Sequence, residues 1–390
     1  MNASLGAVRA KRLKKRDSNR GVDRFPCTRC GARLKFEPGT KRLVCEYCGQ
    51  ENVIEDRPDE IREYPLHQAL EQLEKVRPAI RRRQIQCDTC GAQFRLEKNF
   101  HAGECPFCGT PIVVGTADSK PIEPKSLLPF LVDRQQAERL FRMWLEGMWF
   151  APGRLKKYAR RDARLTGVYL PYWTFDSDTE TRYTGSRGDI YYVNQRVQFM
   201  KDGRMVSQVR RVPKIRWTPV RGRVARFFDD VVVDASRSLP RQILDRLQPW
   251  DLENMVPYDE RYLSGFGSEF YQVDLDEGFD RAKQVMGQVI HQDIAFDIGG
   301  DHQRIHQLRT RHIGTTFKHC LLPVWSAGFK YRGKTYRFVI NGRTGEIQGQ
   351  RPYSYWKITF AVITAVLAVL GVVAVLDRSG LLQQMQYSNY

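Results

Sequence analysis

Two short alternating runs open the folded part of the chain, Ala32-Arg33-Leu34-Lys35-Phe36 and Arg42-Leu43-Val44, joined at Glu37-Pro38-Gly39-Thr40. Alternation of period two around a Pro-Gly turn predicts a small hairpin. Residues 59–83 place Ile61, Leu66, Leu70, Leu73 and Val76 at helical spacing, and Pro65 and Pro78 limit that helix to about three turns. After the proline-rich join KPIEPKSLLPF, Asp133 predicts the N-cap of a helix running to about Phe150, ended by Pro152 and Gly153. Ala137, Leu140, Phe141, Trp144, Leu145 and Met148 give that helix one broad apolar face, read as core. The stretch GVYLPYWTFDSDTETRYTGSRGDIYYV is rich in the residues strands favour, with turns expected at Gly185 and Gly188. Residues 276–293 read as helix. HCLLPVWSAGFKYRGKTYRFVINGRTGEIQG reads as a β-meander with turns at Arg332-Gly333-Lys334 and Asn341-Gly342. Its phrase LLPVW echoes the earlier YLPYW, which predicts two related sheet halves.

Residues 358–376 break every such pattern: nineteen residues without a charge. As a helix they would extend ~28 Å at ~1.5 Å per residue, close to the ~30 Å hydrocarbon core of a bilayer. Tyr353, Tyr355, Trp356 and Lys357 precede the run like an interfacial belt, and Asp377 and Arg378 close it. A transmembrane anchor is the expectation. Arg351 and Lys357 flank its N-terminal side, whereas SGLLQQMQYSNY beyond it carries no charge, so the bulk of the chain is expected in the cytoplasm of a bacterial inner membrane.

The cysteines add chemistry. Eight of the nine form four CxxC pairs, and Cys320 alone is left over. CTRCGARLKFEPGTKRLVCEYCG, from Cys27 to Gly49, recurs sixty residues on as CDTCGAQFRLEKNFHAGECPFCG, from Cys87 to Gly109, each with fourteen residues between its pairs. Four thiolates per copy suit the closed tetrahedral site of a structural Zn²⁺. The candidate ligands are Cys27, Cys30, Cys45 and Cys48 in one copy and Cys87, Cys90, Cys105 and Cys108 in the other. The glycine after each pair permits a left-handed residue at the turn. Units this small bury too little apolar surface to fold alone, so metal binding and folding are coupled. With every coordination position filled by sulfur, neither metal is expected to be catalytic.

Charge widens the list of partners without selecting one. The chain holds 63 Lys+Arg against 44 Asp+Glu, a net +19, which favours nucleic acid or an anionic membrane face. Residues 182–226 carry twelve bases against two acids, with Tyr191, Tyr192, Phe199 and Trp217 interleaved. Residues 227–300 carry fifteen acids against six bases, so the two blocks are placed to neutralise each other in part. The basic segment could meet nucleic acid, acidic protein or lipid, or only solvent. His302 and His306 would share one face of a helix, but DHQRIH lacks the glutamate of a zinc protease. No phosphate loop, nucleophile elbow or dinucleotide fingerprint is present, and Asp176 and Asp178 read as surface acids, so no catalytic residue and no enzyme activity is expected.

The tandem CxxCG units, together with LPFLVDRQQAERLFRMWLEGMWFAPGRLK, LTGVYLPYWTFD, FKHCLLPVWSAGFKYRGKTYRFVINGRTGEIQGQRP and the terminal run, resemble a family of bacterial zinc-ribbon membrane proteins. Its members are often labelled primosomal protein N′ (replication factor Y)-like or helicase-like, and some are associated with envelope-stress proteins of the phage-shock type. The resemblance implies zinc, a membrane and a shared β-rich domain. The absence of a Walker loop and a DExH box excludes a helicase cycle of the usual kind.

The expected fold is α+β and multidomain: a basic arm (1–24), zinc ribbon 1 (25–56), a helical spacer (57–84), zinc ribbon 2 (85–115), a β-rich domain with a few helices (116–352), a transmembrane anchor (353–378) and a short tail (379–390). The expected function is a membrane-anchored, cytoplasm-facing, non-enzymatic interaction scaffold that holds two structural zinc ions and recruits protein partners, with an envelope-stress setting. The alternative is a nucleic-acid-binding protein linked to DNA replication.

Overall fold

The computed structural model describes residues 25, 27–32, 34–55, 61–75, 85–86, 92–94, 102–104, 111–113, 122–148, 152, 165–201, 204–331, 334–350 and 355–378. The predicted hairpin forms as β1 (Leu34–Phe36) and β2 (Arg42–Cys45), and β3 (Glu51–Val53) adds a third strand against β2. After β4 (Tyr64–Pro65), α1 covers Leu66–Lys75, within the bounds its prolines set. Four short strands follow as two antiparallel pairs: β5 (Ile85–Gln86) with β6 (Gln93–Phe94), and β7 (Ala102–Glu104) with β8 (Pro111–Val113).

The body is a curled sheet built on three very long strands. They are β10 (Thr166–Lys201), β11 (Arg204–Asp234) and β14 (His302–Tyr331), after the short β9 (Ser126–Leu127) and with β12 (Val256–Pro257) and β13 (Gly267–Ser268) between them. β15 (Lys334–Asn341) and β16 (Ile347–Gly349) complete the order β11-β10-β14-β15-β16. The helices α2 (Arg134–Gly147), α3 (Arg241–Leu244) and α4 (Leu275–Ile298) accompany it, and α5 (Tyr355–Arg378) ends the described chain.

The two echoing phrases pair with each other. Leu170 lies opposite Leu322, Pro171 opposite Leu321 and Tyr169 opposite Pro323, all antiparallel. A proline in a central strand normally forfeits a ladder bond. Here the outer ladders begin one residue later, at Tyr172↔Asp234 and Val324↔Asn341. The proline carbonyls instead accept from the N–H groups of Ala235 (3.1 Å) and Gly342 (2.8 Å).

The tryptophan that ends each phrase reaches across to the start of a helix. Trp173 Nε1 donates to the Val273 carbonyl (3.0 Å), and Trp325 Nε1 donates to the Val132 carbonyl (2.9 Å). Each valine is followed by an aspartate N-cap, Asp274 for α4 and Asp133 for α2, the latter in a capping box with Gln136. The buried residues then fall at matching offsets: Ala137, Phe141 and Leu145 on α2, and Gly278, Ala282 and Met286 on α4. The two halves expected from sequence are a Val-Asp-helix and a long LPxW strand, each half's tryptophan holding the other half's helix.

Of the two expected four-cysteine sites, one cluster is brought together among the described residues, and Cys87, Cys90, Cys105 and Cys108 lie outside them. Two other expectations are corrected. A helix does form over the apolar run, but among the described residues no helix is long and apolar enough to cross a membrane. The transmembrane anchor, the membrane as partner and the inner-membrane localisation built on it are therefore not supported. Gly185 and Gly188, expected at turns, lie inside β10, where a Cβ on Gly185 would meet the Arg304 carbonyl oxygen at 2.5 Å. They are close-approach glycines.

The same geometry separates the two helices. A Cβ on Gly278 would meet Trp173 Cδ1 at 2.7 Å, whereas Ala137 already carries one at the matching place. Gly278→Ala should destabilise the full chain by ~1–3 kcal/mol through overpacking, read as a lower urea midpoint. An Ala137→Gly change should cost only the ~1 kcal/mol of helix propensity.

Candidate metal centre

The site is built by two matching backbone turns. At the first, Cys27 N–H donates to the Ala32 carbonyl (2.6 Å) and Gly31 N–H to the Cys27 carbonyl (2.9 Å); at the second, Cys45 N–H donates to the Gln50 carbonyl (2.9 Å) and Gly49 N–H to the Cys45 carbonyl (2.9 Å). Gly31 and Gly49 sit at φ 72° and 69°, the left-handed conformation expected of them. Each turn aims two sulfurs at the other's. Cys27 Sγ lies 3.5 Å from Cys48 Sγ and Cys30 Sγ 3.5 Å from Cys45 Sγ, with all four within 4.8 Å. A tetrahedral Zn²⁺ with ~2.3 Å bonds to sulfur separates its ligands by ~3.8 Å. The quartet fits that ion, and no fifth protein donor is needed.

The four thiols divide: the Cys45 and Cys48 sulfurs push Cys30 up to about 12, burial and the Cys27 sulfur raise Cys48, and backbone dipoles lower the other two. The N–H groups of Cys48 and Tyr47 pull Cys45 down to about 7. Cys27 is also lowered, because N–H groups of Cys30 and Arg29 outweigh its burial. Thiolates are the metal-binding form. Cys320 is the opposite case, buried and pushed up to about 12 by that burial, and takes no part in the cluster.

The ribbon is seated on the sheet. Phe36 N–H donates to the Ser264 carbonyl (3.0 Å), Ser264 Oγ to the Leu34 carbonyl (2.6 Å) and Gly39 N–H to the Phe130 carbonyl (2.8 Å). The Phe36 ring packs edge-on to Tyr262 at 5.0 Å. Cys27, Cys45, Leu34 and Phe36 share one hydrophobic cluster with Phe130, Trp325 and Phe338. The quartet is the outer wall of the main core.

Elsewhere the structure revises the expected surface chemistry. His302 and His306 lie on β14, not on a helix, and His306 Nε2 is 2.9 Å from Ser186 Oγ. His319 is buried and held neutral near 4 by that burial, its Nδ1–H donating to the Ile122 carbonyl (2.6 Å). Asp176 is not a surface acid: it is 5% exposed, while Asp178, two residues on, is exposed. Asp176 accepts from the Asp230 N–H (2.6 Å) where β10 and β11 slip register, and Asp230 itself has φ 50°. Lys318, 6% exposed, pairs with Asp230 (2.7 Å) and Glu63 (3.2 Å). This bulge-locking cluster has no sequence signature, because Glu63, Asp176, Asp230 and Lys318 come from four segments distant in sequence.

Comparison with known proteins is sparse. The chain is similar to Uncharacterized protein YdjG of Bacillus subtilis (strain 168), 25% identical over 339 residues, which is 86% of this chain and 91% of that relative. No family model matches, and no solved structure matches. The likeness to YdjG names no activity, and the primosomal label is unconfirmed.

The buried cluster has a pH signature. Burial first, then the Glu63 carboxylate beside it, pushes Asp176 up to about 7. An unfolded aspartate titrates near ~3.9, so between about pH 4 and 7 the folded chain holds a proton that the unfolded chain has released. That contribution is complete below about pH 4 and is lost as pH rises through 7. Asp176→Asn keeps an acceptor for Asp230 and removes the titration. Its urea midpoint should gain on that of the wild type between pH 5 and 7.5; a constant gap would show that Asp176 does not titrate there.

Proposed function

We propose that the chain is a zinc-stabilised, non-enzymatic interaction scaffold. The observation that carries this is the closed quartet at Cys27, Cys30, Cys45 and Cys48, whose sulfurs face one another and whose flanking strands are part of the sheet's core. Such a metal has no position for water or substrate, so its chemistry is to hold the ribbon in place. The same spacing in the second copy supports a second ion on Cys87, Cys90, Cys105 and Cys108. The resemblance to zinc-ribbon proteins associated with envelope stress supports that setting for the scaffold. The alternative, a nucleic-acid-binding role linked to replication, draws its support from a different surface, the basic sheet face described below.

The full chain, purified under reducing conditions, should carry two zinc ions by elemental analysis, and Cys45→Ser and Cys87→Ser should each remove one. Crosslinking in native extracts should recover a fixed set of protein partners that disappears when both quartets are replaced by serine. A chain without zinc, or a partner set indifferent to both quartets, would contradict the proposal.

A further inference from the structure

The expected cancellation between the basic strands and the acidic segment after them occurs on one face only. On the face of the sheet that α4 covers, Arg226 makes a two-pronged bond to Asp293 (2.7 and 2.7 Å), and Tyr183 Oη–H donates to Asp297 (2.5 Å). The other face, reached by alternate residues of the same strands, is open from Asp178 outward. There Arg182 lies directly opposite Arg223 on β11 and Arg309 on β14, three arginines abreast across three strands. Arg311 follows two residues along. Like charges directly opposite one another destabilise a sheet. Glu180 pairs with Arg223 (2.5 Å), and among the described residues no ion pair holds Arg182, Arg309 or Arg311.

The stripe continues outward. Arg304 lies 3.9 Å over the Trp217 ring, and further along Arg211 lies 5.2 Å over Tyr192. β14 begins at His302, opposite Gly188, so beyond that point β10 and β11 run on as a two-stranded ribbon to the Lys201↔Arg204 pair. From Arg182 to Asn194 the stripe extends ~40 Å at ~3.3 Å per residue. Arginine forks at this spacing, planted on a rigid sheet, match a linear array of phosphates. A two-stranded ribbon is also narrow enough for the ~12 Å major groove of duplex DNA.

We propose that this open face, centred on Arg182, Arg309 and Arg311, binds nucleic acid through its phosphate backbone. The arginine forks make the contacts, so binding is insensitive to base sequence and strongly dependent on salt. The inference rests on the alternative, nucleic-acid-binding reading and names the residues that would carry it. Zinc content and crosslinked protein partners are read separately, so failure of either leaves the other intact.

The test is fluorescence anisotropy of the full zinc-loaded chain with a labelled 30-nucleotide single strand and a labelled 30-base-pair duplex, between 50 and 200 mM salt. The triple change Arg182→Gln, Arg309→Gln and Arg311→Gln should weaken binding at least tenfold and lower the slope of log affinity against log salt by about 2 to 3. A control that removes the same charge from α2, Arg134→Gln, Arg139→Gln and Arg142→Gln, should stay within about twofold of the wild type. The corresponding Arg→Lys triple should keep the salt slope, which separates loss of charge from loss of fold. Equal weakening by the open-face and control triples would overturn the proposal. So would absence of binding to both probes at 50 mM salt, or binding to anionic phospholipid vesicles with none to either nucleic acid.

Discussion

Everything in this protein is arranged around one antiparallel contact, Leu170 against Leu322, where the two LPxW strands cross-pair. The prolines on either side of that contact fix where the outer ladders can begin, since neither can supply an N–H. The tryptophans next to them then fix the helices, each donating to the carbonyl that precedes the opposite helix's cap. Buried indole N–H groups need partners, and here the partner belongs to the other half. The halves therefore cannot settle independently, and the sheet's curl, the positions of α2 and α4 and the shared core follow from their exchange.

The metal quartet belongs to the same construction. Phe36 and Leu34, from the strand between the two cysteine turns, enter the cluster that contains Trp325 and Phe338. The ribbon's backbone bonds to the segment at Ser264 and to Phe130. A four-cysteine unit is too small to fold on its own surface burial. What it gains from the ion it passes to the sheet as a fixed wall. The buried Lys318 group ties Asp230 at the register slip between β10 and β11.

Much of this was legible in the residues because the signals were local. The CxxCG turns, the Asp133 cap, the Asn341-Gly342 turn and the echo of YLPYW in LLPVW each announce themselves within a few positions. Other features were read wrongly for a common reason: they are set by contacts far away in sequence. Gly185 suggested a turn, yet it is a place where Arg304 on β14 comes too close for a Cβ. Asp176 looked like a surface acid until Glu63, Asp230 and Lys318 were brought around it. Composition foretold partial cancellation of charge between 182–226 and 227–300. Only the strand register shows that it is confined to the face under α4, leaving Arg182, Arg223 and Arg309 side by side on the other. The apolar run at 358–376 predicted a helix correctly, but the membrane crossing inferred from it is not supported among the described residues.

The central claim is that the cysteine quartet is a structural part of the sheet's core and not an independent finger. Amide hydrogen exchange on the full chain, zinc-loaded and then chelated, tests it directly. Chelation should remove protection from β1 and β2 and also from the segments they bond to, around Phe130 and Tyr262–Phe266, while the Leu170–Leu322 ladder stays protected. Loss of protection confined to residues 27–49, with the sheet segments unchanged, would contradict it.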